Sequence, residues 1–168
     1  MKTRNDDDAL AMLAAAVAAE LKAHGRRLVT AESCTGGWIA KVCTDLAGSS
    51  DWFERGLVTY SNEAKQSLLG VRAADIARHG AVSETVAAAM ALGAVASSHA
   101  DYSVAVTGIA GPGGGSPDKP VGTVCFGWAL PEERIETERR LFSGDRDEIR
   151  RASVAAALSG LLERLAGS

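Results

Sequence analysis

The sequence predicts a three-layer α/β/α sandwich around a mixed sheet, folded as a single domain, and three observations predict it. Segments with helical spacing of apolar residues alternate with short β-like runs along the 168-residue chain, the pattern of helices covering both faces of a sheet. The last two strand-like runs are separated only by a Pro-Glu-Glu turn, so that pair is antiparallel and the sheet is mixed. The length suits one hydrophobic core, and no internal repeat or compositional break divides it, so residues 1–168 are expected to form one domain.

Each element has its own signal. Leu10, Leu13, Val17 and Leu21 fall on one face of a first helix, capped and charge-complemented by Asp6, Asp7 and Asp8 and ending at Gly25. RLVTA at 27–31 reads as a short buried strand. It runs into the turn Glu32-Ser33-Cys34-Thr35 and a helix opened by Gly36 and Gly37, with Ile39, Val42, Cys43 and Leu46 facing the core. Residues 48–51 break the pattern; a single helical turn is expected over 52–55 and a strand over 57–60. Ser61 or Asn62 caps the next helix, which stops near Gly70. A short helix over 74–79 and an alanine-rich one over 84–98, capped by Ser83, precede the strand YSVAVT at 102–107. After the loop GIAGPGGGSPDKP come strands over 123–129 and 135–142. The closing helix follows Ser143-Gly144-Asp145 and buries Val154, Leu158, Leu161 and Leu165.

Composition narrows the function classes. Eighteen Lys and Arg against 21 Asp and Glu leave a net charge of −3, which attracts no polyanion, so nucleic acid is not expected as a partner. The three cysteines have neither CxxC spacing nor a neighbouring His cluster, which disfavours a disulfide framework and a zinc site and suits a reducing compartment. No apolar run reaches membrane-spanning length, and the acidic start is not a secretory signal, so no membrane association and a cytoplasmic location are expected.

Four stretches carry candidate chemistry. The Ser33–Cys34–Thr35–Gly36–Gly37 turn would leave backbone N–H groups and a helix dipole free for a phosphate or carboxylate, or would be a plain cap. The 108–120 loop lacks GxxxxGK[ST], so it is not a Walker cradle; its length points to a pocket wall rather than an idle rigid loop. Ser50, Tyr60 and Lys65 could make a nucleophile and base if the lysine is neutral, though as single residues a cap and a solvated lysine explain them equally. Cys34 competes as nucleophile at its helix N-terminus, against the reading of a small buried hydrophobe. Arg146 could hold a substrate anion or pair with Asp145 or Asp147. His24, His79 and His99 all fall near helix C-termini as cationic caps, giving no support to a Ser-His-Asp triad.

TAESCTGGWIAKV, AGSSDWFERGLVTYSNEAK, GAVSE, TGIAGPGGG, KPVGTV and FSGDRD, taken in order, resemble the CinA C-terminal-domain family, the nicotinamide-nucleotide amidohydrolases. The resemblance implies a hydrolase that removes ammonia from the carboxamide of nicotinamide mononucleotide, in pyridine nucleotide recycling, by a serine-lysine mechanism without metal or cofactor. It implies Ser50 as nucleophile, with Ser33 as the alternative, Lys65 as general base and Tyr60 as a proton relay or oxyanion support. Ser33, Thr35 and Gly36, together with Thr107, Gly108, Ala110 and Gly111, would line the nucleotide site, with Arg146 on the anion. A homodimer is implied as well. Many members carry an additional N-terminal nucleotide pyrophosphatase domain, so that second activity is expected to be absent here. The competing readings are a non-catalytic pyridine-nucleotide-binding regulatory module and an amidase that uses Cys34.

Overall fold

Five strands in the computed structural model, which describes residues 2–167, form one sheet in the order β2-β1-β3-β4-β5. They are β1 (Leu28–Glu32), β2 (Phe53–Val58), β3 (Tyr102–Gly108), β4 (Thr123–Leu130) and β5 (Arg134–Leu141). β2 and β3 both run parallel to β1, whereas β4 is antiparallel to β3 and to β5. The helices are α1 (Lys2–Ala23), α2 (Trp38–Thr44), α3 (Asn62–Leu69), α4 (Ala73–His79), α5 (Glu84–Ala96) and α6 (Arg146–Ala166).

Side-chain alternation along the strands makes two cores. Leu28, Val104, Val106, Val124, Phe126 and Trp128 point to one face, where they meet Leu10, Val17 and Leu21 of α1, Ile39 of α2, and Val154, Leu158 and Leu161 of α6. Val29, Ala31, Ala105 and Ala129 point to the other and meet Val86, Met90, Ala91 and Ala94 of α5, with Leu69 of α3. The α/β/α sandwich is the direct result. Full burial of a side chain such as Leu28 or Phe126 contributes about 1.5–3 kcal/mol each. The approach of α6 to the sheet depends on Gly160, where an added Cβ would lie 2.3 Å from the Trp128 ring. That closeness lets the Trp128 indole N–H donate to the Ala157 carbonyl at 3.1 Å.

Two local expectations are corrected. α1 begins at Lys2, so Asp6, Asp7 and Asp8 lie inside the helix rather than capping it; an ion pair from Asp7 to Arg151 of α6 supports this extra turn. The expected helical turn over 52–55 is instead a 3-10 turn at Ser49–Asp51, and β2 starts at Phe53. Trp52, 1% exposed, fills the first core, and its carbonyl accepts from Leu28 N at 2.8 Å. Pairing with β1 therefore draws the strand four residues toward the N-terminus of its expected start at 57. No helix among the described residues is long and apolar enough to cross a membrane.

Candidate active site

Parallel strands end on one edge of the sheet, and connections that leave adjacent strands toward opposite faces open a crevice there. β1 turns into α2 on the first face, while β2 leads into α3 on the second. The crevice lies between these connections, at the carboxyl ends of β1, β2 and β3.

Ser33 follows the last residue of β1, and its N–H still donates to Val106 O of β3 at 3.0 Å, which extends strand geometry to the hydroxyl-bearing residue. Lys65 comes from the first turns of α3, whose start is fixed by Ser61 accepting from Ala64 N at 3.0 Å. Lys65 and Leu69 are spaced i, i+4, so both face inward. Only 1% of Lys65 is exposed. Its Nζ lies 2.9 Å from Ser33 Oγ, 3.0 Å from Thr59 O and 3.4 Å from Tyr60 O.

No carboxylate pairs with Lys65 among the described residues, and burial holds its amine below the usual lysine range. A neutral amine has two N–H donors and one lone pair. Nζ donates to both carbonyls and to Ser33 Oγ; once deprotonated, it would keep its two N–H donors on the carbonyls and turn the lone pair to the Ser33 hydroxyl. A general base needs this arrangement, with its partner within hydrogen-bond reach.

The two residues open into a cleft of about 290 Å³. Cys34, Tyr60, Thr107, Gly108, Ala110, Gly111 and Arg146 line it too. Gly108 is required by close approach: a Cβ there would lie 2.8 Å from Val124 Cγ2 and 3.1 Å from Cys34 Sγ. Thr107 Oγ1 donates to Ala81 O at 2.9 Å, tying β3 to the segment before α5. Arg146 opens α6, behind a capping box in which Asp145 and Glu148 satisfy each other's backbone N–H groups. Its guanidinium donates to Gly111 O at 2.6 Å and to the Tyr60 hydroxyl at 3.2 Å. Asp145 is committed to the cap, and among the described residues no carboxylate pairs with Arg146. With the Arg146 guanidinium on its wall and no carboxylate among its lining residues, the cleft is suited to an anion.

Several sequence expectations are placed elsewhere. Ser50 sits in the 3-10 turn before β2, at the amino end of that strand, and is exposed. The six residues of β2 span about 20 Å, so Ser50 and Lys65 lie near opposite ends of the sheet. Thr35 is fully buried and donates to Glu32 Oε1 at 2.6 Å, so it does not face the cleft; Gly36 is exposed outside it. The N–H groups of Ile39 and Ala40, which would have been open to a phosphate, donate to the buried Glu32 carboxylate at 2.8 and 3.1 Å. Burial pushes the Glu32 carboxyl up, against the pull of the Thr35 hydroxyl and these N–H groups. Tyr60 is 62% exposed at the cleft mouth, with its hydroxyl on Arg146 rather than on Ser33.

Burial pushes the Cys34 thiol up to about 12, which leaves it a neutral side chain near pH 7 and speaks against thiolate attack. Among the described residues no group of three His, Cys, Asp or Glu could hold a metal ion. Glu32 and the backbone carbonyl of Thr59 are structural parts of the site that residue-by-residue reading missed. A lysine four residues before a buried leucine was the available signal for the latter, since it marks Lys65 as inward-facing.

Comparison with known proteins bears on this geometry. The CinA C-terminal domain matches residues 10–165. Over 158 residues the chain is 56% identical to the nicotinamide-nucleotide amidohydrolase PncC of Escherichia coli (strain K12), covering 94% of this chain and 96% of that protein. Identity to the PncC of Pseudomonas putida is 50% over 156 residues, 93% of this chain and 97% of the relative. The crystal structure of a competence/damage inducible protein, CihA, from Agrobacterium tumefaciens superposes with a TM-score of 0.89 at 44% identity, covering 92% of this chain and 94% of the other.

Proposed function

The chain belongs to the CinA C-terminal-domain family, and from that premise we propose that it is an enzyme that hydrolyses the carboxamide of nicotinamide mononucleotide to a carboxylate and ammonia. The observation that carries this reading is the 2.9 Å contact between Lys65 Nζ and Ser33 Oγ, at the floor of a cleft whose wall holds Arg146, an arginine with no carboxylate partner among the described residues.

Ser33 is the nucleophile in this proposal. Its Oγ attacks the amide carbon as its proton passes to the Lys65 lone pair, giving a tetrahedral oxyanion and an ammonium side chain. Thr59 O and Tyr60 O already accept from Nζ, so the newly formed ammonium keeps its partners. Backbone N–H groups of the Ser33 turn and of the 108–111 loop stabilise the oxyanion. Lys65 then returns the proton to the departing nitrogen, and the C–N bond breaks to release ammonia and leave an ester on Ser33. Water, deprotonated by Lys65, attacks the ester carbon, and as the bond to Oγ breaks Lys65 returns that proton to Ser33 Oγ. Arg146 binds the substrate phosphate, with Tyr60 beside it at the mouth.

A homodimer acting in the cytoplasm, in pyridine nucleotide recycling, completes the proposal; sedimentation equilibrium checks the first of these. The decisive experiment measures ammonia release from nicotinamide, its riboside, its mononucleotide and the dinucleotide. Turnover of the mononucleotide that Ser33→Ala abolishes is the expected result. Thermal stabilisation by the nucleotide with no ammonia from the wild-type protein would instead identify a binding module.

A further inference from the structure

The Ser33 turn is held from outside the cleft by an arginine that the mechanism above does not use. Arg150 lies one turn into α6, is half-buried, and does not line the cleft. Its Nε donates to Cys34 O at 3.1 Å and its terminal nitrogen to Thr35 O at 3.2 Å. The guanidinium carbon sits 5.4 Å from the Trp38 ring centroid, a cation–π contact with the first residue of α2. A planar fork with two fixed acceptors and an aromatic face beside it has little rotational freedom left.

Peptide planarity carries this constraint to the nucleophile. Thr35 C=O and Gly36 N–H share one plane, so Arg150 orients the Gly36 N–H through the Thr35 carbonyl. That N–H donates to Ser33 O at 3.0 Å. Ser33 C=O in turn shares its plane with Cys34 N–H, the backbone donor next to the attacking hydroxyl. A chain of two peptide planes and one hydrogen bond therefore runs from the guanidinium to that donor. Glu32 holds the inner side of the same turn through Thr35 Oγ1; Trp38 N–H also donates to Thr35 O at 3.0 Å, and Arg150 is the side chain that bridges the Cys34 and Thr35 carbonyls.

We propose that Arg150 is a positioning residue for the amide hydrolysis: from α6 it sets the direction of the Cys34 N–H that faces the oxyanion formed on attack by Ser33. This rests on the amidohydrolase reading, and it predicts a defect in the chemical step rather than in substrate binding. The test compares wild type, Arg150→Ala and Arg150→Lys in steady-state ammonia release, in thermal melting and in phosphonylation of Ser33 by a fluorophosphonate probe, which needs no nucleotide.

In Arg150→Ala, kcat is expected to fall on the order of 10²-fold, the cost of misplacing one oxyanion donor, with KM unchanged to within about twofold. Phosphonylation should slow in parallel, and added guanidinium ion at millimolar level should restore part of both rates. Arg150→Lys should show an intermediate loss at the wild-type melting temperature, and it decides the matter if Arg150→Ala does not fold. A wild-type kcat in either folded variant, a loss confined to KM, or a loss that guanidinium does not relieve overturns the proposal. Wild-type protein that releases no ammonia overturns the functional reading instead, and the phosphonylation rates then decide the role of Arg150 alone.

Discussion

Replacing Lys65 by Met tests the protonation state on which the proposed chemistry depends. Met keeps the length of the aliphatic stem and removes the amine. Lys65 is 1% exposed, has no carboxylate partner among the described residues, and is held by burial below the usual lysine range. In the unfolded chain the amine is charged up to about 10.4, whereas in the folded chain it loses its proton at lower pH. The unfolded state therefore binds more protons between the folded and unfolded pKa values, and stability rises with pH across that window.

The penalty for burying the amine is full below the folded pKa, shrinks through the window, and is gone above the unfolded value. Its slope approaches about 1.4 kcal/mol per pH unit for one proton. Urea unfolding of wild type and Lys65→Met, from neutral pH to pH near 10, gives that slope as the change in their stability difference. Any constant packing offset between Met and Lys cancels. The wild type should gain on the variant as pH rises, and the acid limb of its kcat/KM profile should fall below the ordinary lysine range. A stability difference that is flat, or that narrows in the opposite sense, would refute a neutral Lys65 and with it the general-base role.

Ser33→Ala should lower ammonia release on the order of 10⁴-fold or more, as for loss of a covalent nucleophile, while Ser50→Ala leaves turnover unchanged; equal losses in the two would remove the preference for Ser33. Arg146→Ala should raise KM for the mononucleotide roughly 10- to 100-fold, through loss of a charge-assisted contact, yet leave KM for the riboside untouched, and steady-state comparison of the two substrates shows whether the phosphate is what it binds. Iodoacetamide near pH 7 should fail to inactivate, because the Cys34 thiol is pushed up to about 12, and mass spectrometry should find Cys34 unmodified. Gly111→Ala should destabilise by about 1–3 kcal/mol by driving a Cβ to 2.4 Å from Val121 Cγ1 at a φ of +80°; an unchanged melting temperature would show that the loop relaxes freely.

Hydrophobic periodicity by itself determined the layered fold, because each strand and helix must bury a face whose spacing is written locally: Leu28 and Val29 already point to opposite cores, and Leu158 and Leu161 already share a stripe. Glycine runs and capping signals, which are short-range features, likewise marked the loop that carries Ala110 and Gly111 and the helix start at Arg146, while Thr107 and Gly108 close β3. Helix ends and strand starts were less legible. Asp7 stays helical because of Arg151, 144 residues away, and β2 begins at Phe53 because Leu28 accepts it as a neighbour.

Which groups meet was decided only by the tertiary structure. Ser33 and Ser50 look alike as sequence, each in a small-residue turn, but parallel pairing of β1 and β2 sends their turns to opposite edges of the sheet. The inward face of α3 then delivers Lys65 to the edge that holds Ser33. The anion-ready N–H groups of α2 are taken by Glu32, and the turn's carbonyls by Arg150 from the end of the chain. The bond from Arg150 to Cys34 O joins residues 116 positions apart. Local pattern fixes what each residue can do, and only the closed sheet and its packed helices fix which partner it finds.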